Sequence, residues 1–159
     1  YRDIQDAPLD AICAIAMGEG VGQAYWPSYF GTVARLLKPG GRACVQSIVI
    51  DDALFERYVQ GTDFIQQYVF PGGCLPSPAR FRAAAQQAGL RVVEELAFGA
   101  DYAETLRRWH RQFTQQHAQV LAQGFDAKFL RTWEFYLAYC EAAFDSGSID
   151  VVQYTLVKN

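Results

Sequence analysis

The sequence predicts an α/β protein built on a parallel sheet, and three stretches of residues 9–50 carry that expectation. The segment LDAICAIAM, Leu9 to Met17, is a nearly continuous apolar run, the pattern of a strand covered on both faces. From Tyr25 to Leu37, Tyr25, Tyr29, Val33 and Leu36 recur at helical spacing, and Pro27 is tolerated in the first turn. The turn KPGG, Lys38 to Gly41, stops that helix, and Arg42 to Ile50 is a second apolar strand. Strand, helix and strand in this order make a βαβ unit, with a right-handed crossover and parallel pairing.

The loop GEGVG, Gly18 to Gly22, joins the first strand to the helix. Beyond Asp51 the pattern is mixed as far as the irregular loop FPGGCLPS, Phe70 to Ser77. Pro78 to Ala88 reads as a helix, with Ser77 as N-cap, Pro78 at the first helical position and Gly89 as its stop. Leu90 to Phe98 alternates as a strand does. Two long helical patterns follow, Tyr102 to Ala122 and Ala127 to Phe144, and the β-branched segment Ile149 to Val157 reads as a sheet edge or hairpin partner. No linker divides the chain, so residues 1–159 are expected to form part of one domain.

The chain has 159 residues, 51% hydrophobic and 19% charged, a globular composition. A net charge of −3, with Lys and Arg scattered, argues against a nucleic-acid partner. The only basic cluster is Arg107, Arg108 and Arg111, either a solvated helix face or a contact with anionic headgroups. No apolar run approaches the roughly 20 residues of a membrane-spanning helix. Cys13, Cys44, Cys74 and Cys140 lack metal-type spacing, and three of them sit in strongly apolar stretches. Buried, reduced thiols in a cytoplasmic protein are expected. His110 and His117 share one helix face without a nearby Cys or carboxylate pattern, so no metal site is expected.

An α/β domain that binds a nucleotide cofactor does so at its first strand–loop–helix, where glycines admit the ligand and an acidic residue takes the ribose. Eight residues precede Leu9, and they hold no such fingerprint. The cofactor-binding half is therefore expected outside this sequence.

The motifs, in order, are YRD (Tyr1 to Asp3), MGEGVG (Met17 to Gly22), LLKPGG (Leu36 to Gly41) and QSI (Gln46 to Ile48). They continue with YVFPGGCLPS (Tyr68 to Ser77), FGADYAETLRRW (Phe98 to Trp109) and WEFYLAYCEAAF (Trp133 to Phe144). Together they resemble the cyclopropane-fatty-acyl-phospholipid and mycolic acid cyclopropane synthase family over nearly the whole chain. The resemblance implies the C-terminal half of a Rossmann-like class I methyltransferase sheet with added helices. It also implies methyl transfer from S-adenosylmethionine to the double bond of an unsaturated fatty acyl chain, giving a cyclopropane or a methyl or methylene branch.

That reaction needs a methyl group held in line and kept dry, rings to stabilise a carbocation, and a base to take a proton. Family members are understood to hold bicarbonate beside the sulfonium. By the resemblance, Glu19, Gln46, Ile48 and Tyr102 match the residues around that ion, and Ile15 and Ala16 match positions lining the cofactor. Tyr68, Phe70, Gly72, Gly73, Trp109 and Cys140 are assigned to the acyl substrate, a fatty acyl chain or phospholipid. Two departures bear on the product: Gly20 and Gln46 stand where many members have His. A glutamine can donate to an anion but cannot carry a proton. The QSI form is closer to relatives that methylate or methylenate acyl chains.

Each assignment has a structural counterpart. Glu19 is otherwise a loop or capping residue, Gln46 a satisfied core amide, Tyr102 a core or capping aromatic, and Cys140 a packed thiol. The glycines of FPGGCLPS otherwise only make a turn. The stripes Tyr102, Leu106, Trp109, Phe113 and Trp133, Tyr136, Leu137, Cys140, Phe144 either form core or line an acyl tunnel. Two other functions stay open, an amine N-methyltransferase and a non-catalytic lipid-binding module. Peripheral contact with the inner membrane face, and dimerisation through an open strand edge, are further expectations.

Overall fold

The computed structural model describes residues 1–158, in two compact units. The first comprises Tyr1–Ala97 and the strand from Asp150 onward; the second is the segment Phe98–Ile149 inserted between them.

The first unit is a four-stranded open sheet in the order β1-β2-β4-β3. Strand β1 (Leu9–Ile15) is followed by helix α1 (Trp26–Leu36) and strand β2 (Leu37–Ile50), and β1 pairs with β2 in parallel. The βαβ unit expected from the sequence is present. Helix α1 turns Trp26, Tyr29, Phe30, Val33 and Leu36 into the core at helical spacing. Phe30 meets Phe81 edge to face at 5.0 Å, and Phe81 stacks on Tyr154 at 3.9 Å. Such pairs add roughly 0.5–1.5 kcal/mol each beyond their buried area.

The KPGG segment does end α1, but it lies inside β2 as a bulge rather than before it. The pairing steps from Leu9↔Leu37 directly to Ala11↔Arg42. Gly40 takes φ +75, and a Cβ on Gly41 would lie 2.9 Å from the Lys38 carbonyl oxygen and 3.1 Å from that of Asp10. The bulge thus depends on its second glycine for a close backbone approach.

Three expectations are corrected here. Strand β1 is not covered on both faces: it is the sheet's edge, and Leu9 and Ile15 are exposed. With β1 open, Cys13 is exposed, while Cys44, its register partner on β2, is half-buried, as are Cys74 and Cys140. None of the four thiols is buried. Strand β4 (Ile149–Lys158) is an interior strand between β2 and β3 (Leu90–Ala97), antiparallel to β3, and buries Val151, Val152, Tyr154 and Leu156. Its β-branched character reflects burial, which an edge strand and an interior strand signal alike.

Residues 52–68 hold two helices that the mixed pattern concealed, α2 (Asp52–Val59) and α3 (Phe64–Tyr68). The Asp51 side chain caps α2, and Asp63 with Gln66 forms a capping box on α3. Helix α4 (Pro78–Gln87) starts at Ser77, whose hydroxyl accepts the Arg80 amide.

The second unit is a helical hairpin. Helix α5 (Gly99–Gln115) breaks at Gln116, short α6 (His117–Ala122) follows, and α7 (Ala127–Asp145) returns. The partners fix an antiparallel packing: Tyr102 meets Phe144, Arg107 bonds Glu141 and Asp145, and Phe113 meets Phe129. Ala103 and Leu106 are buried from α5, and Leu130, Leu137 and Phe144 from α7. Among the described residues no helix is long and apolar enough to cross a membrane.

Candidate functional site

In the first unit the candidate residues gather at the carboxyl ends of β1 and β2, where open α/β sheets place their ligands. Ile15 is the register partner of Gln46, and its side chain is 56% exposed. Ala16 takes a left-handed conformation, φ 50, with its N–H donating to the Gln46 carbonyl. The sharp turn at Ala16 leads to a single 3₁₀ turn, Gly18–Val21, which carries Glu19.

Glu19 ties together three segments. Its Oε1 accepts the Ile48 backbone N–H at 2.5 Å, and its backbone carbonyl accepts the Cys74 N–H at 2.9 Å. Its Oε2 is buried without a partner. Burial pushes the Glu19 carboxyl above its ordinary value; the Ile48 amide, Glu19's own amide and Ser47 favour the charged form without offsetting that burial. Tyr29 lies nearby, with a buried hydroxyl that also lacks a partner. Its pKa is pushed up to about 12, chiefly by burial and further by the Glu19 and Tyr1 charges.

Gln46 is 8% exposed, and its Oε1 accepts from Gln153 Nε2 at 3.0 Å. That bond directs the Gln46 carbonyl toward β4 and leaves its NH₂ as the end that can donate elsewhere. Gln46 is thus a satisfied amide and a potential anion donor at once. Ile48 takes part through its main chain, and its N–H is committed to Glu19. Gly20, in place of the common His, is exposed, with nothing within 4 Å of the position a Cβ would take.

The loop after α3 folds back onto the Glu19 turn. Gln66 Nε2 donates to the Gly73 carbonyl, the Tyr58 hydroxyl accepts the Leu75 amide, and Gly73 N–H donates to Phe70. Gly72 has φ +82, and a Cβ on Gly22 would lie 3.2 Å from its oxygen. These glycines do more than turn the chain: they let two loops touch backbone to backbone. Tyr68 and Phe70 flank this loop and are 65% and 56% exposed.

In the second unit Tyr102 lies 5.4 Å from Phe144 and 6.0 Å from Phe98, ring to ring. Tyr136 and Cys140 interact, and Tyr136, pushed up to about 12 chiefly by burial, also feels Tyr102. These side chains form one cluster. Trp109 departs from its stripe: it is 53% exposed, whereas Leu106 is buried. His117 sits on α6, not α5, and its Nε2 is 3.3 Å from Glu134 without a hydrogen bond. The sequence shows no carboxylate near it because α7 supplies one.

The sequence reading missed Gln153, Tyr29 and Tyr58. Gln153 carried a usable signal, an amide on an otherwise apolar strand, the same signal that drew attention to Gln46. Tyr29 read as part of a helical stripe, Tyr58 lay in the stretch of mixed pattern, and only the fold shows what their hydroxyls face.

This sheet, with the candidate residues at the carboxyl ends of parallel strands, is a class I methyltransferase fold. It superposes on mycolic acid cyclopropane synthase CmaA1 complexed with SAH and CTAB with a TM-score of 0.88, at 27% identity over 99% of this chain and 58% of that one. Residues 1–154 match the family model for mycolic acid cyclopropane synthetase. The chain belongs to that family. It is 42% identical to the tuberculostearic acid methyltransferase UfaA1 of Mycobacterium tuberculosis, over 99% of this chain and 37% of that protein. It is 34% identical to the cyclopropane-fatty-acyl-phospholipid synthase of Escherichia coli, over 96% of this chain and 38% of that protein. The chain therefore spans well under half the length of these two relatives.

Proposed function

We propose that this chain forms part of an enzyme that transfers a methyl group from S-adenosylmethionine to the double bond of an unsaturated fatty acyl chain. The observation that carries the reading is the Glu19 carboxyl, held by Ile48 with its other oxygen buried and unpartnered beside the carboxyl end of β1. The names of relatives at 34% and 42% identity, which act on fatty acyl lipids, support the lipid substrate.

When bound, S-adenosylmethionine supplies an electrophilic methyl group. Ile15 and Ala16 offer an open apolar strand end and a turned main chain for its edge, and they fit that role. Bicarbonate also fits: the Gln46 NH₂ can donate to an anion, and the buried, unpartnered Glu19 Oε2 can accept from the hydroxyl of bicarbonate. Tyr102 is the third residue the reading assigns to that ion. Gln46 cannot carry a proton, so the proton whose loss closes a cyclopropane or leaves a methylene branch falls to another base, which bicarbonate would supply when bound. Tyr68, Phe70, Trp109 and Cys140 are proposed to meet the acyl chain, and Gly72 and Gly73 to shape the loop beside it. Phosphoethanolamine N-methyltransferase structures similar to this chain are 14% and 15% identical to it and share the fold alone, so they lend the amine N-methyltransferase alternative no further support.

The test is transfer of labelled methyl from S-adenosylmethionine to monounsaturated phospholipids by the full-length protein, read by mass spectrometry. Labelled cyclopropane or methylene-branched acyl chains are expected. Label on small amines, or on no lipid, would overturn the reading.

A further inference from the structure

We propose that the distal end of the helical hairpin, where α5, α6 and α7 meet, docks on an anionic phospholipid bilayer. The sequence suggested Arg107, Arg108 and Arg111 for such a contact, but the first two are committed within the unit. Arg107 bonds Glu104, Glu141 and Asp145, and Arg108 bonds Glu104. The uncommitted positive charge lies further out.

Between Trp109 and Trp133 the chain carries three cations, Arg111, Lys128 and Arg131, against one carboxylate, Asp126. This is a local surplus of two positive charges in a chain of net charge −3. Asp126 is occupied in capping α7, where it accepts the Phe129 amide at 2.7 Å. Among the described residues neither Lys128 nor Arg131 forms an ion pair, and Arg111 has only a 3.8 Å approach to Glu104.

Two large apolar side chains stand on the same end of the hairpin, Leu121 on α6 and Phe125 in the following turn, each 46% exposed. A shallow depression of about 280 Å³ lies on the last turns of α5, lined by His110, Arg111, Thr114 and Gln115. Apolar side chains that enter the acyl boundary, ringed by cations that meet phosphates, are what an interfacial contact requires. In a symmetric dimer this patch would face its own positive copy, so the charge surplus selects an anionic surface over a second copy.

The proposal rests on the lipid substrate for its purpose, since the double bond lies within a bilayer. Its test uses vesicle co-sedimentation of the full-length protein without S-adenosylmethionine, so it can fail while methyl transfer to detergent-dispersed lipid succeeds. Each cation near such a surface multiplies affinity about fivefold. Binding to equimolar phosphatidylcholine and phosphatidylglycerol vesicles is expected to exceed binding to phosphatidylcholine alone by at least about tenfold. The triple variant Arg111→Glu, Lys128→Glu, Arg131→Glu should remove that preference and its salt dependence, whereas Arg111→Lys, Lys128→Arg, Arg131→Lys should keep both. The pair Leu121→Glu, Phe125→Glu should weaken binding at any salt concentration. Circular dichroism of each variant is expected to match the wild type, which separates lost binding from lost folding. Wild-type protein that ignores anionic vesicles, or charge-reversed protein that binds them unchanged, would overturn the proposal. So would a change in oligomeric state by light scattering with vesicle binding intact, which would assign the surface to a second copy.

Discussion

The Glu19 carboxylate accepts the backbone N–H of Ile48, 29 residues further along the chain, and so joins the turn after β1 to the end of β2. Replacing the acid separates its two duties. Glu19→Gln keeps an acceptor for Ile48 and is expected to fold with little change in stability, while methyl transfer by the full-length protein falls by about 10²–10⁴. Glu19→Ala also strands the Ile48 amide, at a cost of about 1–3 kcal/mol in urea unfolding.

The same carboxyl makes stability depend on pH. Its folded pKa is raised above the ordinary value of 4.5, so between the two values the folded state binds more protons than the unfolded state. Stability from this group is therefore highest below pH 4.5 and declines as pH rises through the folded pKa. The decline is at most about 1.4 kcal/mol per pH unit. Urea unfolding across pH should show Glu19→Gln gaining on the wild type over that window; parallel curves would contradict it.

Gln46 and Gln153 form a second coupled pair across β2 and β4. Gln153→Leu leaves the buried Gln46 oxygen without its donor and is expected to cost about 1–3 kcal/mol. Adding Gln46→Leu should recover part of that loss, and a double-mutant cycle would measure the coupling.

Gly22 has φ 75 and ψ 154, a conformation that is essentially glycine's alone, and its α-carbon faces the Gly72 carbonyl. Gly22→Ala is expected to cost about 1–3 kcal/mol. Because the displaced partner is the loop that shields Glu19, activity should fall further than the loss of folded protein explains, a difference that assaying the fully folded fraction would reveal.

Arg107 holds α5 to α7 through Glu141 and Asp145 at a half-exposed position. Arg107→Met should lower the midpoint of thermal unfolding at low salt, and the difference should shrink as salt is added, because exposed ion pairs are screened.

The βαβ unit was legible because a long apolar run, a helical stripe and a glycine turn point the same way over residues 9–50. The position of β4 was not, since burial is what Val151, Val152 and Leu156 signal, and burial does not name a neighbour. Helices α2 and α3 announced themselves only by their caps, Asp51 and Asp63, within a stretch too short for periodicity. At the site, Glu19 and Gln46 could be singled out by motif. Their partners could not, because the Gln46–Gln153 contact joins residues 107 positions apart. The break at Gln116 carries neither Gly nor Pro, and it moved His117 onto a new helix beside Glu134.

The interior place of β4 also sets a timetable for synthesis. Strand β3 reaches β2 only through β4, so a chain emerging from the ribosome holds β3 without a seat beside β2 until β4 is made. The hairpin of α5 and α7 lies between them in sequence and depends on contacts within its own segment, so it is free to form first. Nascent chains halted before Ile149 would then protect hairpin amides from exchange while those of β3 stay open. In such a molecule the strand made after the hairpin is the one that joins β3 to the rest of the sheet.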